Sequence, residues 1–385
     1  MHPLLALALV IAAGIGVTRL SRPTLRSPVV VDEILATGVP FVLIGALLGP
    51  GLGVLDAPTM HILEPLLALG IGWIGAAFGA RLEWRVLRRV PRRAWGTGLA
   101  LAAPVFLFSA LAAWFLVRTM PPIAAAWRPL WPAALTLAAA ATMSASWTGP
   151  RLARRAALFD TLFGAIAAGI ALAIAHGRGA VPAVVVIVIV SALIAGLMIL
   201  LTRFGADQSP VTMAVELFAV VLAGAGFAYA TSMSPFVVCA LIMALVVSLS
   251  PPEAARALGA LLRRWESPLY ALFPIVAGAL LQPLTVSVLP AALVLAAVRI
   301  VVRWATVRAG GHRAWSPLHG LAPDFGFATA RQGAQALAVA AGYELIRAES
   351  GGGALLTTVL ILILVGEAVA AATPLTASVE QAEVT

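Results

Sequence analysis

The chain has 385 residues, of which 62% are hydrophobic and 11% charged. Soluble globular domains are about 45–50% apolar and about 25% charged, so this composition excludes a water-soluble domain and implies an all-α polytopic membrane protein. A net charge of +9 does not point to nucleic acid here: all 25 basic residues are arginine, and almost all lie between apolar runs.

Apolar runs bounded by charges, proline and glycine give thirteen candidate spans. Their approximate limits are 2–19, 36–55, 62–81, 95–117, 130–148, 155–175, 180–202, 211–230, 235–250, 268–285, 287–305, 318–343 and 354–374. The first has no basic residue before its apolar core, while Arg19, Arg22 and Arg26 follow it. A cleaved signal peptide has the opposite polarity, so the segment reads as a span with its N-terminus outside. Residues 251–266, PPEAARALGALLRRWE, read as an amphipathic surface helix between two spans. The lone Cys239 rules out an internal disulfide framework.

The arginines test this count. With the N-terminus outside, the loops before every even-numbered span face the cytoplasm and hold 19 arginines, Arg303 among them as the inner boundary of span 11. The outer loops hold four, Arg118, Arg128, Arg178 and Arg347, and Arg299 and Arg331 fall inside spans. Such alternation follows the positive-inside rule and places the C-terminus inside. Spans 4, 5, 6 and 11, 12, 13 are offset by seven, an odd number, so equivalent spans run in opposite directions. This permits an inverted-topology repeat of six spans, a linker and six spans, an arrangement found in secondary transporters.

The few charges inside the apolar segments include Asp160 in span 6, Glu216 in span 8, Arg299 in span 11, Asp324 and Arg331 in span 12, and Glu367 in span 13. Each costs roughly 2.5–3.5 kcal/mol at a helix centre on insertion scales, so they must be paired or line a wet cavity. Competing readings stand beside the functional one. Asp160 lies about 7.5 Å of helical rise beyond Arg155 and could be an interfacial carboxylate. Glu216 could be a boundary residue, Asp324 a helix cap, and Glu367 a structural partner for backbone or arginine groups. Arg299 lies mid-span and fits a boundary role less well.

Two spans read as interrupted helices. Span 5 ends in AATMSASWTGP, with hydroxyls at Thr142, Ser144, Ser146 and Thr148 ahead of Gly149 and Pro150. Span 12 carries Pro323, Gly326 and Gly333, with Gln332 and Gln335 nearby. Interrupted helices expose backbone polar groups at membrane depth, tolerated only where protein or a wet cavity satisfies them, and such breaks can coordinate ions. Close helix packing through small residues is the alternative. The five histidines have no metal-ligand spacing, and neither a hydrolase elbow nor a phosphate-binding loop occurs. No cofactor is expected.

Several stretches, in order along nearly the whole chain, resemble the monovalent cation:proton antiporter family, especially its cation:proton antiporter-2 branch. They are VVVDEILATGVPFVLIGALLGPGLGVLD (29–56), LEPLLALGIGWIGAAFGARLEWRVLRR (63–89), ALFDTLFGAI around Asp160, SPLYALFPIVAGALL (267–281), LAAVRIVVRW around Arg299, TARQGAQALAVA (329–340) and VGEAVAAATPL (366–375). The resemblance implies two crossed discontinuous helices, spans 5 and 12, and a homodimer. Its scaffold would be 1–94 and 204–286, its transport core 95–176 and 287–376, with a linker helix at 180–203 and a short acidic cytoplasmic tail at 377–385. Asp160 would carry the ion or proton, with Thr142 and Ser144 at the first break. Arg299 would be the core basic residue, and Arg331, Gln332, Asp324 and Glu367 would be core charges or structural groups. The chain departs from the family pattern at Phe159, where a polar residue is usual, at Arg331, where proline is usual, and in the short interval of 18 positions from Thr142 to Asp160.

The expected activity is exchange of Na⁺ or K⁺ for H⁺ across a bacterial inner membrane by alternating access, in the lipid bilayer and without nucleic acid. Two rivals stay open. An organic-anion transporter on a similar scaffold would use Arg299 and Arg331 as anion ligands, and a degenerate antiporter-like module would not transport.

Overall fold

The computed structural model describes residues 39–127 (apart from 54 and 56), 130–145, 151–204 (apart from 176 and 178), 209–281, 288–347 and 353–373, together with Ala12. The rest of the first candidate span, Ser146, Thr148, Gly149, Pro150 and the acidic tail lie outside the described residues. Among the described residues there is no strand. The principal helices are α1 (Val39–Ala46), α2 (Ala57–Gly79), α3 (Arg92–Thr119), α4 (Leu130–Thr142), α5 (Arg151–Ala175), α6 (Ala180–Phe204), α7 (Pro210–Ala230), α8 (Pro235–Leu249), α9 (Pro252–Ala279), α10 (Val288–Gly311), α11 (Asp324–Ala328), α12 (Ala334–Ile346) and α13 (Ala354–Ala372).

Seven helices among the described residues are long and apolar enough to cross a membrane: α2, α3, α5, α6, α7, α10 and α13. The shorter apolar helices α4, α8 and α12 accompany them. Many large apolar side chains stay exposed, such as Val181, Leu193, Val211, Val215 and Phe115. In water that surface would be prohibitive; in a bilayer it faces its proper solvent. The chain is a multi-pass membrane protein.

Two units are distinguished, one made of residues 1–89, 172–281 and 341–351, the other of residues 90–171, 282–340 and 352–385. In the first, α2 packs against α8 at backbone contact. A Cβ on Gly75 would lie 2.2 Å from the carbonyl oxygen of Phe236, and one on Gly79 would lie 2.1 Å from that of Ala240. Without a hydrophobic force between helices in lipid, small residues that admit such approach supply the packing energy. Here α9 differs from the sequence expectation. The amphipathic stretch at 251–266 and the span that follows it form one continuous helix of 28 residues, Pro252–Ala279. Its internal prolines do not end it, since membrane helices tolerate proline where neighbours re-satisfy the freed carbonyls.

In the second unit, α3 packs against α4 and α10, and α10 packs against α13. The buried stripe of α10 runs Val288, Ala291, Ala292, Leu295, Ala296, Arg299, Arg303, Val307 and Gly310. That is helical spacing, so Arg299 and Arg303 stand one turn apart on the inward face.

Candidate ion-binding site

Helix α4 stops at Thr142 inside the protein, and residues Met143–Ala145 continue without helix. A helix end leaves its last four carbonyls without intrahelical donors. All four find side-chain donors here. The Thr142 hydroxyl donates to Ala139 O, Gln332 Nε2 to Ala140 O, Arg299 Nε to Ala141 O and Arg303 Nη2 to Thr142 O, each at 2.7 Å.

The second interruption separates α11 from α12 over residues 329–333, and the same arginines serve it. Arg303 Nη1 donates to Thr329 O at 2.7 Å, and Arg299 Nη1 donates to Ala330 O at 2.5 Å. The next carbonyl, of Arg331, accepts from the backbone N–H of Ala145 at 2.9 Å. Arg299 and Arg303 therefore each tie the first break to the second. Helix C-termini carry partial negative charge, which accounts for two buried guanidiniums with one carboxylate in contact between them. Gly366 on α13 leaves the space for this: a Cβ there would lie 2.6 Å from Ala330 O and 3.2 Å from Arg299 Nη1.

Asp160 projects from α5 into the same place, with 1% of its surface exposed. Its Oδ2 accepts from Arg303 Nη2 at 2.9 Å and from the Ser144 hydroxyl. The Thr161 hydroxyl lies 3.4 Å from Oδ1 and 3.1 Å from Ser144 O. Glycine lets α5 come this close: a Cβ on Gly164 would sit 2.5 Å from Thr142 Oγ1 and 2.7 Å from Ala139 O. Phe159 turns the other way. It is buried and stacks on Trp95 with ring centroids 3.9 Å apart, over the room left by Gly98. An apolar residue at 159 is thus a packing choice, made on a face that does not meet the carboxylate.

Two buried amide oxygens at the second break have no hydrogen-bond partner among the described residues, Gln332 Oε1 and Gln335 Oε1. The orientation of the Gln332 amide is fixed, because only its nitrogen can donate to Ala140 O. The arrangement thus offers a carboxylate, a serine hydroxyl and amide oxygens of the two glutamines close to the helix breaks, all on rigid elements. Oxygen donors of this kind suit a hard monovalent or divalent cation or a proton.

Of the residues singled out in the sequence, Thr142, Ser144, Asp160, Arg299 and Gln332 meet here. Arg331 contributes its carbonyl. Glu367 is half-buried next to Gly366, near enough for its charge to act on Arg299. Asp324 is exposed at the first residue of α11, outside the cluster, as a helix-start acid would be. The hydroxyl of Thr142 is spent on its own helix. One reading is corrected: Arg303 does not mark the inner boundary of its span. It is fully buried and is the direct partner of Asp160. Its i, i+4 spacing from Arg299 was the available signal, overridden by its place at the end of an apolar run.

No protein-family model and no curated protein matches the chain. Solved structures do. The sodium proton antiporter MjNhaP1 of Methanocaldococcus jannaschii, in a structure at pH 8, superposes with a TM-score of 0.65 over 96% of this chain and 99% of the other, at 14% identity. The chain has the fold of a sodium proton antiporter. An electron-microscopy structure of the same archaeal antiporter gives a TM-score of 0.57, covering 95% of each chain at 14% identity. At that identity the likeness is one of fold, and this chain's own residues must carry the chemistry.

Proposed function

We propose that the chain is a secondary antiporter that exchanges a monovalent cation, Na⁺ or K⁺, for protons by alternating access, with Asp160 as the shared binding group. The observation that carries this is the burial of Asp160 against Ser144 and Arg303, where Arg303 joins two helix interruptions. The antiporter fold and the ordered sequence stretches support it; those stretches alone support the cation:proton antiporter-2 branch.

In the described state the Arg303 guanidinium is the cation on Asp160. Its other donor contacts, to Thr142 O and Thr329 O, hold it in place when the carboxylate is taken by another partner. A proton or an alkali cation then competes for one carboxylate, with Ser144 following it as donor or ligand. Arginine does not release a proton in proteins, so Arg299 and Arg303 act as fixed charges. One titrating carboxylate gives electroneutral exchange of one cation for one proton. A homodimer, a bacterial inner-membrane location and a cytoplasmic C-terminus complete the proposal, the last resting on the arginine pattern. The organic-anion reading is weakened at one of its two ligands, since Arg299 already donates to Ala141 O, Met143 O and Ala330 O.

The test is cation-driven pH change in proteoliposomes across Na⁺, K⁺ and Li⁺. Wild type should respond to at least one of them and Asp160→Asn to none. Full exchange by that variant would end the assignment.

A further inference from the structure

The scaffold-side unit holds a second polar feature that ion exchange does not use. A cleft of about 520 Å³ opens among the ends of α6, α7 and α9, with Arg203, Glu216 and Glu253 on its walls beside Leu201, Met213 and Ala254. Arg203 stands in the last turn of α6, while Glu253 and Ala254 open α9. Helix α8 also ends here, with Arg203 Nη2 on Leu249 O at 3.3 Å. Four helices therefore begin or end at one level, as helices do where a bilayer meets water. Leu201 is exposed, and the apolar wall continues along the outer face of α6 through Leu197 and Leu193.

The wall chemistry is mixed in a particular way. A guanidinium and the unpaired N–H groups at the start of α9 suit a phosphodiester. Two carboxylates, with Glu216 held half-buried one turn and a half into an apolar helix, suit a cation carrying N–H donors. An apolar groove leading away suits an acyl chain. We propose that this cleft is a headgroup site for a primary-amine phospholipid of the phosphatidylethanolamine type. Its phosphate lies on Arg203 and the start of α9, its ammonium on Glu216 and Glu253. A choline headgroup has the charge but no N–H to donate, and a glycerol headgroup has no cation at all. The site is independent of Asp160, so it stands whichever solute the chain carries.

The test uses the full chain, purified and delipidated in detergent, with melting temperature as readout. Mixed micelles carry phosphatidylethanolamine, phosphatidylcholine or phosphatidylglycerol of the same acyl chains, and a fourth arm carries free phosphoethanolamine. Phosphatidylethanolamine should raise the midpoint by about 3 °C more than the other two lipids. Glu216→Gln with Glu253→Gln should remove that preference. Glu253 is solvent-exposed, so Glu253→Gln alone is expected to fold and should at least halve it. Arg203→Ala should also weaken it. Equal shifts from all three lipids, or an undiminished preference in the carboxamide variants, would overturn the proposal. A full shift from phosphoethanolamine alone would overturn the lipid assignment in favour of a soluble ligand.

Discussion

Replacing Arg303 by leucine isolates what binds the two helix breaks from what binds the carboxylate. The substitution removes donors from Thr329 O and Thr142 O, both contacted at 2.7 Å, and the cation 2.9 Å from Asp160 Oδ2. Each buried carbonyl left unsatisfied costs about 1–3 kcal/mol, so the backbone share is about 2–6 kcal/mol. Stripping a buried ion pair of one partner costs about 3–5 kcal/mol, and no screening discount applies because Arg303 and Asp160 are 0% and 1% exposed. In Asp160→Asn the second share vanishes and the first persists. The double variant should therefore be more stable than the sum of the singles predicts, by about 3 kcal/mol or more. Unfolding in mixed SDS micelles, followed by tryptophan fluorescence, reads this cycle, and Trp95 against Phe159 gives a reporter beside the site. The coupling should shrink as the pH falls far enough to neutralise the carboxyl. Additivity within about 0.5 kcal/mol at neutral pH would mean the two groups do not interact.

Further outcomes follow from the same geometry. Arg299→Met should destabilise by about 2–6 kcal/mol through Ala141 O and Ala330 O, and Arg299→Lys should recover only part, because one ammonium cannot reproduce the planar fork; chemical unfolding checks both. Gly79→Ala should push α2 off α8, costing about 1–3 kcal/mol in the same assay without changing cation preference in proteoliposomes. Competition at one carboxyl predicts that the apparent affinity for the cation falls by about tenfold per pH unit on the acid side; a KM independent of pH there would contradict shared binding.

Much of this was legible in the sequence because lipid imposes few choices. Apolar run lengths located α3, α5, α6, α7, α10 and α13, and the small-residue and proline pattern of 318–343 marked a helix that does break, at 329–333. Asp160 stood out because a charge in an apolar run is expensive enough to need a reason. What failed was the partner. Hydropathy reads an arginine at the end of an apolar run as a boundary, and only the inward stripe of α10 shows that Arg303 continues the face of Arg299. The use of the arginines was hidden as well, since their main acceptors are backbone carbonyls, which no side-chain pattern records. The merging of 251–266 into α9 was missed for a simpler reason: a proline that stops a helix in water need not stop one in a membrane.

The most direct measurement of the central claim is proton release on cation binding. Purified protein in lightly buffered detergent is mixed with Na⁺ or K⁺, and the pH of the medium is followed against a choline control. The account predicts that the transported cation expels protons at a pH where Asp160 is protonated, approaching one per bound ion, and that Asp160→Asn releases none. Cation binding with no proton release in the wild type at any pH, or undiminished release in the variant, would contradict it.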